Sequence, residues 1–126
     1  MKEIVESKQA PAPIGPYSQA VLANGVLFVS GQIPIDQESG KVVSGSIEEE
    51  TEQVMKNLGY ILEEAGTSFD QVLKCSIFIK DMGDFVKINE VYGTRFGANP
   101  PARETVQVSE LPKGVNIEIS CIAAVS

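Results

Sequence analysis

The amino-acid sequence predicts an α+β fold in which two helices pack on one face of a mixed β-sheet. Three observations carry this. Apolar residues recur at three- and four-residue steps in two stretches, between residues 47 and 65 and between 85 and 96. Strand-length apolar runs precede, separate and follow those stretches. A single strand between two helices requires crossover connections, and crossovers lay both helices against the same sheet. At 126 residues the chain fits one domain, 1–126, whose core needs no disulfide or metal staple.

Each element has a local cause. Pro11, Pro13 and Pro16 force an extended path through Ala10–Pro16 and deliver Tyr17 and Ser18. Residues 19–23 and 26–30 flank Asn24-Gly25, a pair suited to the positive φ of a two-residue hairpin turn. The second of these strands, Val26–Ser30, is nearly continuous apolar, the pattern of a strand covered on both faces. Ser46 followed by Glu49 reads as a capping box, and Glu48, Glu49, Glu50 and Glu52 suit the positive end of a helix dipole. From there Ile47, Thr51, Val54, Leu58, Ile61, Leu62 and Ala65 form one stripe that closes at Gly66.

Leu73, Cys75, Ile77 and Ile79 alternate with Lys74, Ser76, Phe78 and Lys80, giving a strand with one apolar face. Asp81 or Asp84 can cap a second helix bearing Phe85, Ile88, Tyr92 and Phe96, which stops at Gly97 before Pro100-Pro101. Strands over 103–109 and 115–125, joined by Glu110–Gly114, complete the order: β-hairpin, helix, strand, helix, β-hairpin. Both helices occupy one sheet face. Val29, Phe78 and the two-sided apolar tail strand therefore predict that the opposite face is buried against other copies of the chain.

Composition limits the chemistry. There is no histidine and no tryptophan, and Arg95 and Arg103 are the only arginines. Ser-His-Asp and Cys-His catalysis and His-containing zinc sites are excluded, and two cysteines cannot build a structural zinc site. A net charge of −7 opposes a nucleic-acid surface. No apolar stretch is long enough to span a bilayer, and the start, Met1–Glu6, lacks the apolar segment of a signal peptide, so no membrane partner and a cytoplasmic location are expected. Cys75 and Cys121 lie in β-patterned apolar runs and read as reduced core thiols.

Two charged residues interrupt apolar strands: Arg103, after the rigid Pro100-Pro101-Ala102, and Glu118, between Ile117 and Ile119. Two readings of them stay open. In one, Glu118 merely pairs with Lys74 or Arg103, and Arg103 is a strand-end surface charge. In the other, Arg103 clamps a small carboxylate and Glu118 orients a water or shuttles a proton. Strand parity separates them: Glu118 shares a face with Arg103 and Thr105 only if paired positions sum to an odd number, as with Thr105 opposite Glu118. A sum of 224 puts them on opposite faces and sinks the idea of a site that they share.

Four ordered motifs carry a family resemblance: Ile14–Ala20, Val29–Pro34, Pro101–Val106, and Leu111–Gly114 with Ile117-Glu118-Ile119, supported by Phe78–Asp81 and Asn89–Tyr92. They closely resemble the Rid (YjgF) family along nearly the whole chain. The resemblance implies a chorismate-mutase-like fold, a homotrimer whose sheet faces form the central core, and three ligand sites between subunits. It further implies a 2-iminobutanoate/2-iminopropanoate deaminase of the RidA type. Such enzymes hydrolyse the enamine or imine released by pyridoxal-phosphate-dependent serine and threonine dehydratases to a 2-oxo acid and ammonia, without metal or cofactor.

Carried over by position, the resemblance assigns Arg103 to the substrate carboxylate, and Glu118 with the Thr105 carbonyl to the attacking water. Gly31 would admit the ligand to the backbone, Tyr17 close the pocket, and Ser30, Phe85 and Asn89 line it. Some family members carry cysteine where this chain has Thr105; threonine removes any thiol-based step there and leaves water attack intact. A non-catalytic small-carboxylate sensor is the alternative reading, with endoribonuclease, translation-inhibitor and chaperone-like roles further off.

Overall fold

In the computed structural model, which describes residues 1–126, Asn24 and Gly25 both take positive φ, 51° and 75°. They join β2 (Ala20–Ala23) to β3 (Val26–Gln32) in the expected hairpin. A short β1 (Glu3–Val5), outside the sequence expectation, pairs antiparallel with β2. A small hairpin, β4 (Ile35–Asp36) with β5 (Lys41–Val42), precedes the first helix.

Helix α1 (Ile47–Glu64) starts as its sequence dictates: the Ser46 hydroxyl accepts the Glu49 N–H at 3.1 Å. It ends at Gly66, whose φ of 81° lets the Gly66 N–H reach the Glu63 carbonyl and the Thr67 N–H the Leu62 carbonyl, both at 3.0 Å. Strand β6 (Val72–Ile79) leads through a 3-10 turn to α2 (Phe85–Gly93). Asp81 caps the 3-10 turn, accepting the Gly83 N–H at 2.8 Å, while Asp84 makes no capping bond. Helix α2 ends at Gly93, short of the expected Gly97, and Phe96 packs on the core from beyond its end.

Strands β7 (Ala102–Gln107) and β8 (Ile117–Ala124) correct the last expectation. They form no hairpin. The six-stranded sheet runs β1-β2-β3-β8-β6-β7, so β6 separates them. Strand β7 lies parallel to β6, as the α2 crossover requires, and β8 fills the slot between β3 and β6 antiparallel to both. The connection carries Lys113 and Gly114 at positive φ in a 3-10 turn, and its far end is tied to β6 by the Lys80 N–H on the Asn116 carbonyl at 3.1 Å. A helix or long turn is needed to pass a strand; a two-residue hairpin cannot.

The core lies between the sheet and the helices. Leu27, Val29, Cys75, Ile77, Ile79, Ile117, Ile119, Cys121 and Ala123 meet Val54, Met55, Leu58, Ile61, Leu62 and Ile88. Val29 is therefore a core residue at 5% exposure, and its neighbour Phe28 takes the helix-free face at 50%. A bulge between Val72 and Lys74 also turns Leu73 outward and Val72 inward, against strict alternation. The helix-free face presents Ile4, Val21, Phe28 and Ile122 in one cross-strand row, and Phe78 with Val106 on the same face about four residues further along β6 and β7. Both cysteines are buried and free. No helix is long and apolar enough to cross a membrane.

Candidate functional site

The two arginines differ in what remains of them for a ligand. Arg95 spends both terminal nitrogens on Glu52, at 2.6 and 2.7 Å, and holds that carboxyl below its usual range. Arg103 stands on edge strand β7 and gives one terminal nitrogen, Nη1, to Asn89 Oδ1 at 2.7 Å. The rest of its donor fork is free of protein partners. Its guanidinium carbon lies 5.5 Å from the Phe85 ring centre and 5.1 Å from that of Tyr92. Phe85, Asn89 and Tyr92, at i, i+4 and i+7, form one stripe of α2 aimed at the strand edge. Thr105, two residues on, shares the Arg103 face, and its buried hydroxyl has no partner.

A second cluster lies on the other side of the sheet. Val29 opposes Cys121 and Gln32 opposes Ile119, so Ser30 and Gly31 together face Ser120 in a β-bulge. The Ser30 hydroxyl donates to the Ser18 carbonyl at 2.6 Å and its N–H to the Gln19 carbonyl at 2.9 Å, which pins the loop bearing Tyr17. Tyr17 is not a core aromatic: it is half-exposed, and its hydroxyl accepts the Ile14 N–H at 3.3 Å. The Glu118 carboxyl lies directly over Gly31, where a β-carbon would sit 2.7 Å from Cδ and 2.9 Å from Cγ. Tyr17, Ser30, Gly31 and Glu118, with Ile14, Ile33 and Pro112, line a cleft of about 340 Å³.

Glu118 has no hydrogen bond or ion pair, and partial burial pushes its carboxyl up from the ordinary range. The structural pairings that the sequence left open are not made: Lys74 pairs with Glu104 at 3.1 Å. Burial also pushes the Cys75 and Cys121 thiols up, the state of inert core cysteines.

Register decides whether the clusters meet within one chain. Ile77 pairs with Thr105 on one side and Ile119 on the other, whereas Phe78 pairs with Val106 and Glu118. Relayed through β6, Thr105 thus corresponds to Ile119, the even sum of 224. Arg103 and Thr105 project on the helix side, Glu118 on the helix-free side, two strands apart or about 10 Å across the strands, with Arg103 a further three residues along them. This overturns the expected shared site within the chain: β6 stands between the two strands, and the even register leaves Arg103 and Glu118 on opposite faces, in no common cavity. The chain presents two separate clusters, Arg103-Asn89-Phe85 and Glu118-Gly31-Ser30-Tyr17.

Two residues of these clusters carry no clear signal in the sequence. Tyr92 has the spacing of the apolar stripe, and periodicity assigns it to the core, where its ring also meets Arg103. Gln19, 2% exposed, accepts the Ser7 N–H at 2.7 Å and donates to the Ser7 and Pro11 carbonyls, each at 3.0 Å, fastening the N-terminal segment beneath Tyr17. Its signal was a lone amide at the start of an apolar strand, beside a proline-rich segment short of ladder donors.

The family model described as Endoribonuclease L-PSP matches residues 7–125. RutC family protein PH0854 of Pyrococcus horikoshii is 53% identical over 123 residues, spanning 98% of this chain and 98% of its own. The human 2-iminobutanoate/2-iminopropanoate deaminase is 45% identical over 123 residues, 98% of this chain and 90% of its own length. The crystal structure of the Rid family protein YyfA from Yersinia pestis, described as of unknown function, matches with a TM-score of 0.97 at 47% identity, covering 99% of this chain and 100% of that one. Fold, ordered motifs and these matches agree: the chain belongs to the endoribonuclease L-PSP family, the group also called Rid or YjgF.

Proposed function

We propose that this chain is an imine deaminase that hydrolyses 2-iminobutanoate and 2-iminopropanoate, or their enamine tautomers, to 2-oxo acids and ammonia. The observation that carries the reading is the Arg103 fork, held by Asn89, Phe85 and Tyr92 with most of its donors unspent, which suits the planar carboxylate of a small 2-imino acid. The human relative named above supports the substrate class. Opposite-face placement of the two clusters supports a homotrimer in which Arg103 of one subunit meets Glu118 of the next, the apolar helix-free sheet faces packing at the centre.

In that cleft Arg103 binds the carboxylate, and Glu118 and the Thr105 carbonyl hold a water against C2. Water adds across C=N, its proton passing by way of Glu118 to nitrogen, and the tetrahedral adduct expels ammonia as the carbonyl forms. Atoms balance as imine plus water giving 2-oxo acid plus ammonia, and no redox step or cofactor is required. An imine is already electrophilic, so orientation and a poised carboxyl are the help it needs.

Arg103→Ala tests the assignment in a coupled threonine-dehydratase assay. Two charge-assisted hydrogen bonds at about 1.5–3 kcal/mol each are lost, a fall of about 10²- to 10⁴-fold in kcat/KM. Unchanged acceleration of 2-oxobutanoate release in this variant overturns the site. The family description favours one other reading, RNA cleavage. The net charge of −7 weighs against it, and incubating the same preparation with RNA separates the two.

A further inference from the structure

Asn89 restrains Arg103 at one nitrogen only, and a single hydrogen bond leaves a guanidinium free to swing about that contact. Arg103 is a long side chain on an edge strand, with many rotamers to lose before it can meet a ligand at a fixed angle. The rest of the restraint comes from two rings of α2: Phe85, exposed enough to turn, lies 5.5 Å from the guanidinium carbon, and Tyr92 is the buried one. Tyr92 is 5% exposed and puts its ring 5.1 Å from the guanidinium carbon. Behind it Phe96 lies 4.8 Å away centre to centre, and Phe69 meets Phe96 edge-on at 5.7 Å and 87°. The Tyr92 hydroxyl is buried beside the Cys75 thiol and makes no bond to Arg103, so the ring, and not the hydroxyl, acts on the guanidinium.

We propose that Tyr92 is a positioning residue for Arg103: its ring face, buttressed by Phe96 and Phe69, fixes the plane of the guanidinium and so the direction in which the free N–H fork meets a carboxylate. The significance for turnover rests on the reading of Arg103 as the carboxylate clamp. The geometry itself does not, and the test keeps the two apart.

Because Arg95 and Arg103 are the only arginines, the arginine Nε–H region of an NMR spectrum holds two signals, assigned with Arg95→Lys. Tyr92→Leu is expected to move the Arg103 signal by removing the ring current. It should also weaken 2-oxobutanoate binding by calorimetry, and raise KM, by about three- to thirtyfold with kcat little changed. Tyr92→Phe, which keeps the ring, should keep signal, affinity and KM, with a Tm at or above that of the parent. If Tyr92→Leu does not fold, Phe96→Leu, which loosens the ring from behind, is read by the same signal. An unmoved Arg103 signal, or Tyr92→Phe behaving like Tyr92→Leu, overturns the proposal. A moved signal in a protein that neither binds nor turns over the ligand leaves Tyr92 as the guanidinium's support and removes the deaminase reading alone.

Discussion

Replacing Gly31 with alanine should separate stability from activity. The backbone tolerates the change, since Gly31 is not among the glycines at positive φ. What the new methyl group meets is the Glu118 side chain, 2.7 Å from Cδ and 2.9 Å from Cγ, well inside van der Waals contact. The carboxyl must swing away. Because it is half-buried and makes no hydrogen bond, leaving costs little, and alanine recovers about 0.4–1 kcal/mol by restricting the unfolded chain. Net stability should stay within about 1 kcal/mol, or about 4 °C in Tm. Activity should not survive so well, because a positioned acid-base group contributes about 10²- to 10⁴-fold. Calorimetry and the coupled dehydratase assay on one preparation read both quantities. If Gly31→Ala keeps more than half the activity, Glu118 is not held over Gly31 for catalysis and the reasoning fails.

Two other expectations follow from the same geometry. Burial raises the Glu118 pKa in the fold, so its charged form opposes folding at high pH and the penalty disappears as pH falls through the folded value. Glu118→Gln should accordingly be more stable than the parent at pH 8 and lose that advantage in acid; a gap that does not change with pH in denaturant titrations contradicts the burial argument. Gln19→Ala strands the Ser7 N–H and the Ser7 and Pro11 carbonyls and should cost about 2–4 kcal/mol. Limited proteolysis should then cut first between residues 7 and 17, and a cut elsewhere counts against Gln19 as the fastener.

Local physics explains which parts of this fold the sequence announces. Asn24-Gly25 specifies its turn because few other pairs accept two positive φ values in succession. Ser46 and Gly66 bracket α1 because each satisfies backbone groups that the helix leaves unpaired. Strand partnership is a different matter. Residues 102–107 and 117–124 read equally well as a hairpin, and only the parallel docking of β7 through α2 leaves β8 the vacant place beside β3. That non-local choice moved Glu118 to the face opposite Arg103. Periodicity placed Tyr92 correctly in a buried stripe, but it does not register a neighbouring strand's guanidinium over the ring. The same limit applies at Leu73, where a bulge set by pairing with β8 overrides alternation. Arg103 and Glu118 were legible as candidates because each is a charge inside an apolar strand; that they stand on opposite faces in separate clusters was not.

The central claim, a site shared between copies of the chain, is tested most directly by mixing two inactive variants. Arg103→Ala and Glu118→Ala chains, denatured together and refolded as mixed oligomers, should regain activity that neither has alone. In a random mixture about a quarter of the intersubunit sites pair an intact Arg103 with an intact Glu118, so about a quarter of parental activity is expected. A mixture no more active than its two components contradicts a shared site.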